Sequence, residues 1–178
     1  MRAISDPGQL GRFFAAYAEH AFLDHLGVVD TPLVDYLSGL LVRFVHRDDI
    51  FPVRPVDGVR MTALEDMVEA VERAESVGPK RRELFRHIGD FTLFWTGVYP
   101  EAVTGRPRAF AVGIEHFTEQ GKRSYYVAST YRDTPEQADQ APLLRRLSDQ
   151  FEVCAVGLRR ARDLWEADHP PQIEPEGE

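Results

Sequence analysis

The chain has 178 residues, 43% of them apolar and 28% charged, proportions that suit one domain with its own core and exclude a fibrous or wholly disordered polymer. Its 29 acidic residues outnumber 21 basic ones, and the formal net charge of −8 argues against nucleic acid or an anionic membrane surface as a partner. Cys154 is the single cysteine, so an intrachain disulfide and a CxxC redox or zinc motif are excluded, and a reducing, cytoplasmic compartment fits best.

The opening stretch, Met1-Arg2-Ala3-Ile4-Ser5-Asp6-Pro7, carries no apolar run of the kind a signal peptide needs. A first helix is expected to open at Asp6, with Pro7 in its first turn and Gln9 reaching back to the cap. Leu10, Phe14, Tyr17 and Ala21 recur along it at helical spacing, and Gly27 supplies the stop. Asp30 or Thr31 starts a second helix. Leu33, Leu37, Leu40, Leu41 and Phe44 form one face of it, and Val34, Tyr36, Val42 and Val45 leave only a narrow polar strip. Apolarity on nearly all sides marks a central helix. The run from Leu33 to Val45 is broken by Asp35, Ser38 and Arg43 and falls short of the about 20 residues that cross a bilayer. Pro52, Pro55 and Gly58 then predict a loop with short extended pieces.

Thr62 and Glu65 have capping-box spacing for a third helix, whose Leu64, Met67, Val68 and Val71 oppose an acidic face of Asp66, Glu69, Glu72 and Glu75. The fourth helix, about Pro79 to Tyr99, carries a continuous stripe of Leu84, Ile88, Phe91, Trp95 and Val98. Gly89 and Gly97 share nearly one face of it, and each glycine costs about 1 kcal/mol relative to alanine in a helix interior. Their pairing predicts close approach by another backbone. After a turn at Thr104-Gly105-Arg106-Pro107, a fifth helical stretch runs near Ala109 to Arg132, as one kinked helix or two short ones. Within it, Tyr125-Tyr126-Val127 has strand-like propensity. Thr134 to Gln140 reads as a polar linker. The last helix, Pro142 to about Glu166, repeats Leu144, Leu147, Phe151, Cys154, Leu158, Ala161 and Trp165 at alternating steps of three and four, the period of a coiled-coil seam. From Asp168 onward the chain is Pro-rich, acidic and expected to be disordered.

The pattern Gly89-Asp90-Phe91-x-x-Phe94-x-x-Gly97-x-x-Pro100-Glu101, followed by Gly121-x-x-x-Tyr125, resembles a family of small helical bacterial proteins to which no function is attached. The likeness covers about the middle third of the chain. Where members carry tyrosine just before the glycine corresponding to Gly121, this chain has Phe117 nearby. The resemblance implies a bacterial, cytoplasmic, all-helical protein, and brings no substrate, cofactor or catalytic residue with it.

Several constellations bear on chemistry. His46-Arg47-Asp48 spells a kinase catalytic-loop triplet, but Val53 stands where that loop needs asparagine, and no glycine-rich loop accompanies it. Glu83, His87 and Asp90 lie at steps of four and three, on one side of the fourth helix and beside its aromatic stripe. Partial desolvation there would raise carboxylate pKa values and suit acid/base work or ligand binding. With Trp95 and Tyr125 these residues make the candidate pocket. The bland reading is a histidine at the core edge bonded to a neighbouring acid. His20, Asp24 and His25 form a second cluster near the end of the first helix, and Glu115-His116 adds another pair. Glu83 has no His three residues later, and carboxylate-bridged di-metal helices require two Glu-x-x-His pairs where this chain has one, Glu166 with His169, so no metal ligand is assigned. Lys80-Arg81-Arg82 and Arg86 crowd the start of the fourth helix, where cations are disfavoured. The acidic face of the preceding helix, or else a phosphate or acidic partner, would offset them. No Gly-x-Ser-x-Gly elbow, P-loop or Gly-x-Gly fingerprint occurs, so no cofactor is implied.

The expected fold is therefore all-α, a single-domain bundle of five to six antiparallel helices over residues 1–167 with a tail at 168–178. The expected function is a non-catalytic interaction or regulatory module, with a protein partner or a second copy of itself as a homodimer. Leu144, Leu147, Phe151, Leu158 and Trp165 form the candidate interface if the last seam faces outward. The alternative is a small-molecule- or metal-binding helical protein, or an enzyme, with a His/carboxylate pocket. A cavity of about 300 Å³ or more with converging groups would favour that alternative.

Overall fold

A computed structural model describes residues 7–47, 59–73, 79–103 and 110–169. Among them every regular element is a helix and no strand occurs. The expected loop around Pro52 and Pro55, the turn at 104–107, Asp48 of the kinase-like triplet and the tail beyond His169 lie outside the described residues. No helix is long and apolar enough to cross a membrane among the residues described.

Helix α1 (Pro7–Glu19) passes directly into a π-helical stretch, His20–His25. Gly27 ends it in the left-handed region, at φ +64°, which suits a residue without Cβ. The N–H of Val28 then reaches back to the carbonyl of Phe22 at 2.8 Å, closing the helix end. Asp30 caps α2 (Thr31–Arg47), its Oδ1 accepting the Leu33 N–H at 3.1 Å. Helix α3 covers Val59–Arg73, so Thr62 lies inside that helix and not at its cap. Helix α4 (Pro79–Gly97) follows the expected span, and a 3-10 turn at Pro100–Ala102 succeeds it.

In the second half, one expectation is narrowed and another corrected. The fifth stretch is one uninterrupted helix, α5 (Phe110–Thr130), in which the strand propensity of Tyr125-Tyr126-Val127 yields to burial of Tyr125. The stretch read as a polar linker is helical from Pro135, and this raises the count to seven α-helices among the described residues. Helix α6 (Pro135–Asp149) is capped by Thr134, whose hydroxyl accepts the Gln137 N–H at 3.2 Å, while the Gln137 amide oxygen accepts the Asp133 N–H at 3.0 Å. That exchange satisfies two free donors at once. Pro142 sits within α6 instead of opening it. Gln150 interrupts the helix for one residue before α7 (Phe151–Asp168).

The long apolar seam runs across this interruption undisturbed. Leu144, Leu147, Phe151, Cys154 and Leu158 are buried within the chain, as is Ala161, and Trp165 is half-buried. The arginines beside it are also used internally. Arg159 donates to the Thr96 carbonyl at 3.1 Å, and Arg162 donates to the Val98 carbonyl at 2.7 Å and to Glu101 at 2.6 Å. Cations there meet the negative end of α4.

Helix α4 occupies the centre, packing on α2, α3, α5 and α7. Small residues let its neighbours approach. A Cβ on Gly97 would stand 2.9 Å from Cβ of Leu158 and 3.3 Å from Cα of Ala155, both on α7. Phe44 of α2 stacks on Phe94 of α4 at 4.6 Å, with the rings 13° from parallel. This packing sets α2 alongside α4, and α5 packs on α4 as well.

Candidate functional site

Asp90 lies on α4, 4% exposed, at the junction of α2, α4 and α5. A buried carboxylate is costly unless its oxygens are bonded. Here they are. Oδ1 accepts the hydroxyls of Tyr36 on α2 at 2.6 Å and Tyr125 on α5 at 2.8 Å. Oδ2 accepts Nη2 of Arg43, also on α2, at 3.2 Å. Tyr36 and Arg43 are two turns apart on one helix face, so a single face of α2 supplies two of the three donors. The Arg43 guanidinium also lies over the Tyr36 ring, 5.2 Å from its centroid.

Burial pushes the Tyr36 and Tyr125 hydroxyls well above the ordinary tyrosine pKa, and the Asp90 charge adds to the effect. Both phenols are held as neutral donors. Burial alone would lower the pKa of Arg86, but Tyr36, Asp90 and Glu83 more than offset it, and its charge is held more firmly than usual.

In front of Asp90 opens a cleft of about 780 Å³. Among the described residues it is lined by Arg43 and Phe44 from α2 and by Pro79, Lys80, Glu83, Leu84, Arg86, His87 and Asp90 from α4. Glu83 is the second ionic hub. Its Oε1 accepts Nη1 of Arg82 at 2.6 Å, and its Oε2 accepts Nε of Arg86 at 2.9 Å. Arg82 is buried and also donates to the amide oxygen of Gln140 on α6 at 2.8 Å. The basic run at the start of α4 is thus dispersed: Arg82 turns to Glu83 and α6, Arg81 lies over the Phe85 ring, and Lys80 and Arg86 face the cleft.

Of the residues singled out from the sequence, Glu83, His87 and Asp90 come together in the cleft wall. Tyr125 is fully buried behind Asp90, which it holds. Trp95 stands elsewhere, buried among Phe91, Phe94 and Tyr99. His20, Asp24 and His25 gather on the π-helical stretch at the surface. Nδ1 of His20 lies 2.9 Å from Asp24, the two histidine rings meet edge to face at 4.8 Å, and Arg160 approaches His25 at 3.5 Å. None of the three lines the cleft. No group of three or more His, Cys, Asp or Glu residues is arranged to hold a metal ion among the described residues.

Sequence reasoning missed Tyr36 and Arg43, which it had placed only as parts of an apolar helix. The available signal was Arg43 itself, a cation within an otherwise apolar run and seven residues from a tyrosine.

In comparisons with family models, with curated proteins and with solved structures, nothing matches this chain.

Proposed function

We propose that the chain is a small-molecule-binding helical protein whose ligand occupies the cleft between α2 and α4. One observation carries this reading: an open cavity of about 780 Å³, within the size range of ligand sites, lined by Glu83, His87 and Asp90 together with Arg43 and Arg86. A smaller cavity of about 360 Å³ beside Tyr17, His20 and Asp168 lacks the paired arginines and carboxylates that converge on this one. Both oxygens of Asp90 are occupied by Tyr36, Tyr125 and Arg43, and both phenols are held protonated. Such a wall presents a fixed electrostatic surface in which Asp90 is committed to its donors, and this supports binding.

The test is an NMR titration of the full chain with a library of neutral, cationic and anionic metabolites. The expected result is saturable shifts at the backbone amides of Leu84, His87 and Asp90. If compounds of every charge class leave those amides unmoved, the cleft is not a ligand site.

A second reading, self-association, is supported by Val153 and Val156, which stand 43% and 54% exposed on one side of α7. Any such dimer would use this outer face, since Leu144, Leu147, Phe151 and Leu158 are consumed by the chain's own core. Sedimentation equilibrium with Val156→Glu tests it, and a monomer at all concentrations rejects it. The packing of α4 on α5, α5 on α6 and α1 on α2 supports an antiparallel bundle, and a single buried cysteine suits a reducing bacterial cytoplasm.

A further inference from the structure

We propose that the ligand of this cleft is a small organic anion, its carboxylate or phosphate head held by Arg43, Lys80 and Arg86 and its apolar body lying against Phe44 and Leu84. The inference rests on the cleft reading above and adds the chemical class of the occupant.

The charges in the wall do not balance. Among the described residues, three cations face two carboxylates, and both carboxylates are already committed. Asp90 is saturated by two hydroxyls and Arg43, while Glu83 accepts Arg82 and Arg86. Arg43 spends only Nη2 on Asp90, at 3.2 Å, longer than the usual charge-assisted bond. Arg86 gives Nε and Nη2 to Glu83, and its Nη1 has no acceptor among the described residues. Lys80 has no ion-pair partner among the described residues, although acids outnumber bases in the chain as a whole. Helix α4 begins at Pro79, so the positive end of its dipole adds to the same rim.

Each class of ligand meets this wall differently. An anion gains charge-assisted bonds from Arg43 and Arg86, which Asp90 and Glu83 hold in place, and from the exposed Lys80. A cation would have to displace Arg43 or Arg86 from those carboxylates. A neutral molecule would leave the excess charge unanswered. Phe44 and Leu84, the latter 36% exposed, offer apolar surface beside the cations and select an anion with a hydrocarbon part over a bare inorganic ion.

Calorimetric titration of the full chain with octanoate, octyl phosphate, octanol and octylammonium separates the classes. Octanoate or octyl phosphate should bind and octylammonium should not, and which of the two anions is tighter distinguishes a carboxylate from a phosphate head. Anion affinity should weaken with added salt and fall about tenfold in Arg86→Gln and in the exposed variant Lys80→Gln. Octanol or octylammonium binding as tightly as the anions would overturn the anion assignment and leave the cleft reading standing. Anion binding unchanged in both variants would overturn it as well, since the head would then sit elsewhere. Should no compound of any charge reach the cleft amides, the underlying reading falls with it.

Discussion

The hydroxyl of Tyr125 meets Oδ1 of Asp90 at 2.8 Å, and the ring of the same tyrosine occupies the space where a Cβ on Gly89 would stand. Two consecutive residues of α4 therefore divide one task. The glycine lets the α5 ring come close, and the carboxylate takes the polar end of that ring. Tyr36 supplies a second donor to the same oxygen from α2. The result is a carboxylate that is almost wholly buried and still satisfied, which lets α2, α4 and α5 share one polar point.

Removing these donors one at a time should show how they share the load. Tyr125→Phe and Tyr36→Phe are each expected to destabilise by about 1–3 kcal/mol, since each deletes one bond to a buried charge. The double variant should lose more than the sum, by about 0.5 kcal/mol or more, because Oδ1 is then left without either hydroxyl. Urea denaturation of the four proteins measures the coupling, and strict additivity would mean that the two hydroxyls do not act on a common acceptor.

Gly89→Ala sets two effects against each other. Alanine gains about 1 kcal/mol of helix propensity. Its Cβ, however, would lie 2.7 Å from Cδ1 and Cε1 of Tyr125, which cannot retreat from a filled core. Overpacking of this kind costs about 1–3 kcal/mol, so a net loss is expected. Gly39→Ala is the contrast, because its Cβ would meet only the flexible tip of Arg43, at 3.3 Å. There the propensity gain should prevail, and thermal melts should move in opposite directions for the two variants.

Alkaline pH should weaken the fold. The pKa of Tyr125 is raised in the folded chain by burial first and by Asp90 second, so the unfolded chain releases that proton at lower pH. The stabilisation is complete below about pH 10, the ordinary tyrosine value, and declines as pH rises toward the folded pKa. The slope is about 1.4 kcal/mol per pH unit for one such group. Stability followed by denaturant titration from neutral to strongly alkaline pH should fall, and fall less steeply in Tyr125→Phe. An equal slope in that variant would show that other groups control the alkaline limb.

Cys154 should be inert while the chain is folded. Burial pushes its thiol up to about 12, with Asp30 contributing, and none of the side chain is exposed. A thiolate is the reactive form, so labelling by a disulfide reagent at neutral pH should proceed only through unfolding. The labelling rate in water should be slower by orders of magnitude than in denaturant, and comparable rates in the two would contradict the buried placement.

Helix existence was legible because it depends on local terms. The stripe on α4, the Asp30 cap, the Gly27 stop and the seam from Leu144 to Ala161 are written in spacing and side-chain chemistry, and the chain follows them. The start of α6 was legible too: Thr134-Pro135-x-Gln137 has the residues of a cap, and polar composition obscured them. The strand propensity within α5 did not prevail over the expected helix, because Tyr125 answers to Asp90 and Gly89, which lie 35 and 36 residues away, more than to its neighbours in sequence.

By itself, then, the order of residues determined helices throughout the described residues, with one side of α4 bearing Glu83, His87 and Asp90. Tertiary packing alone decided that Tyr36 and Arg43 complete that side, that Trp95 belongs to the core, and that the last seam faces inward. The reason is physical. Periodicity along one helix places its own side chains to within a turn, whereas the partner of a buried charge is chosen by which other helix brings a donor within about 3 Å, and no spacing within α4 carries that information.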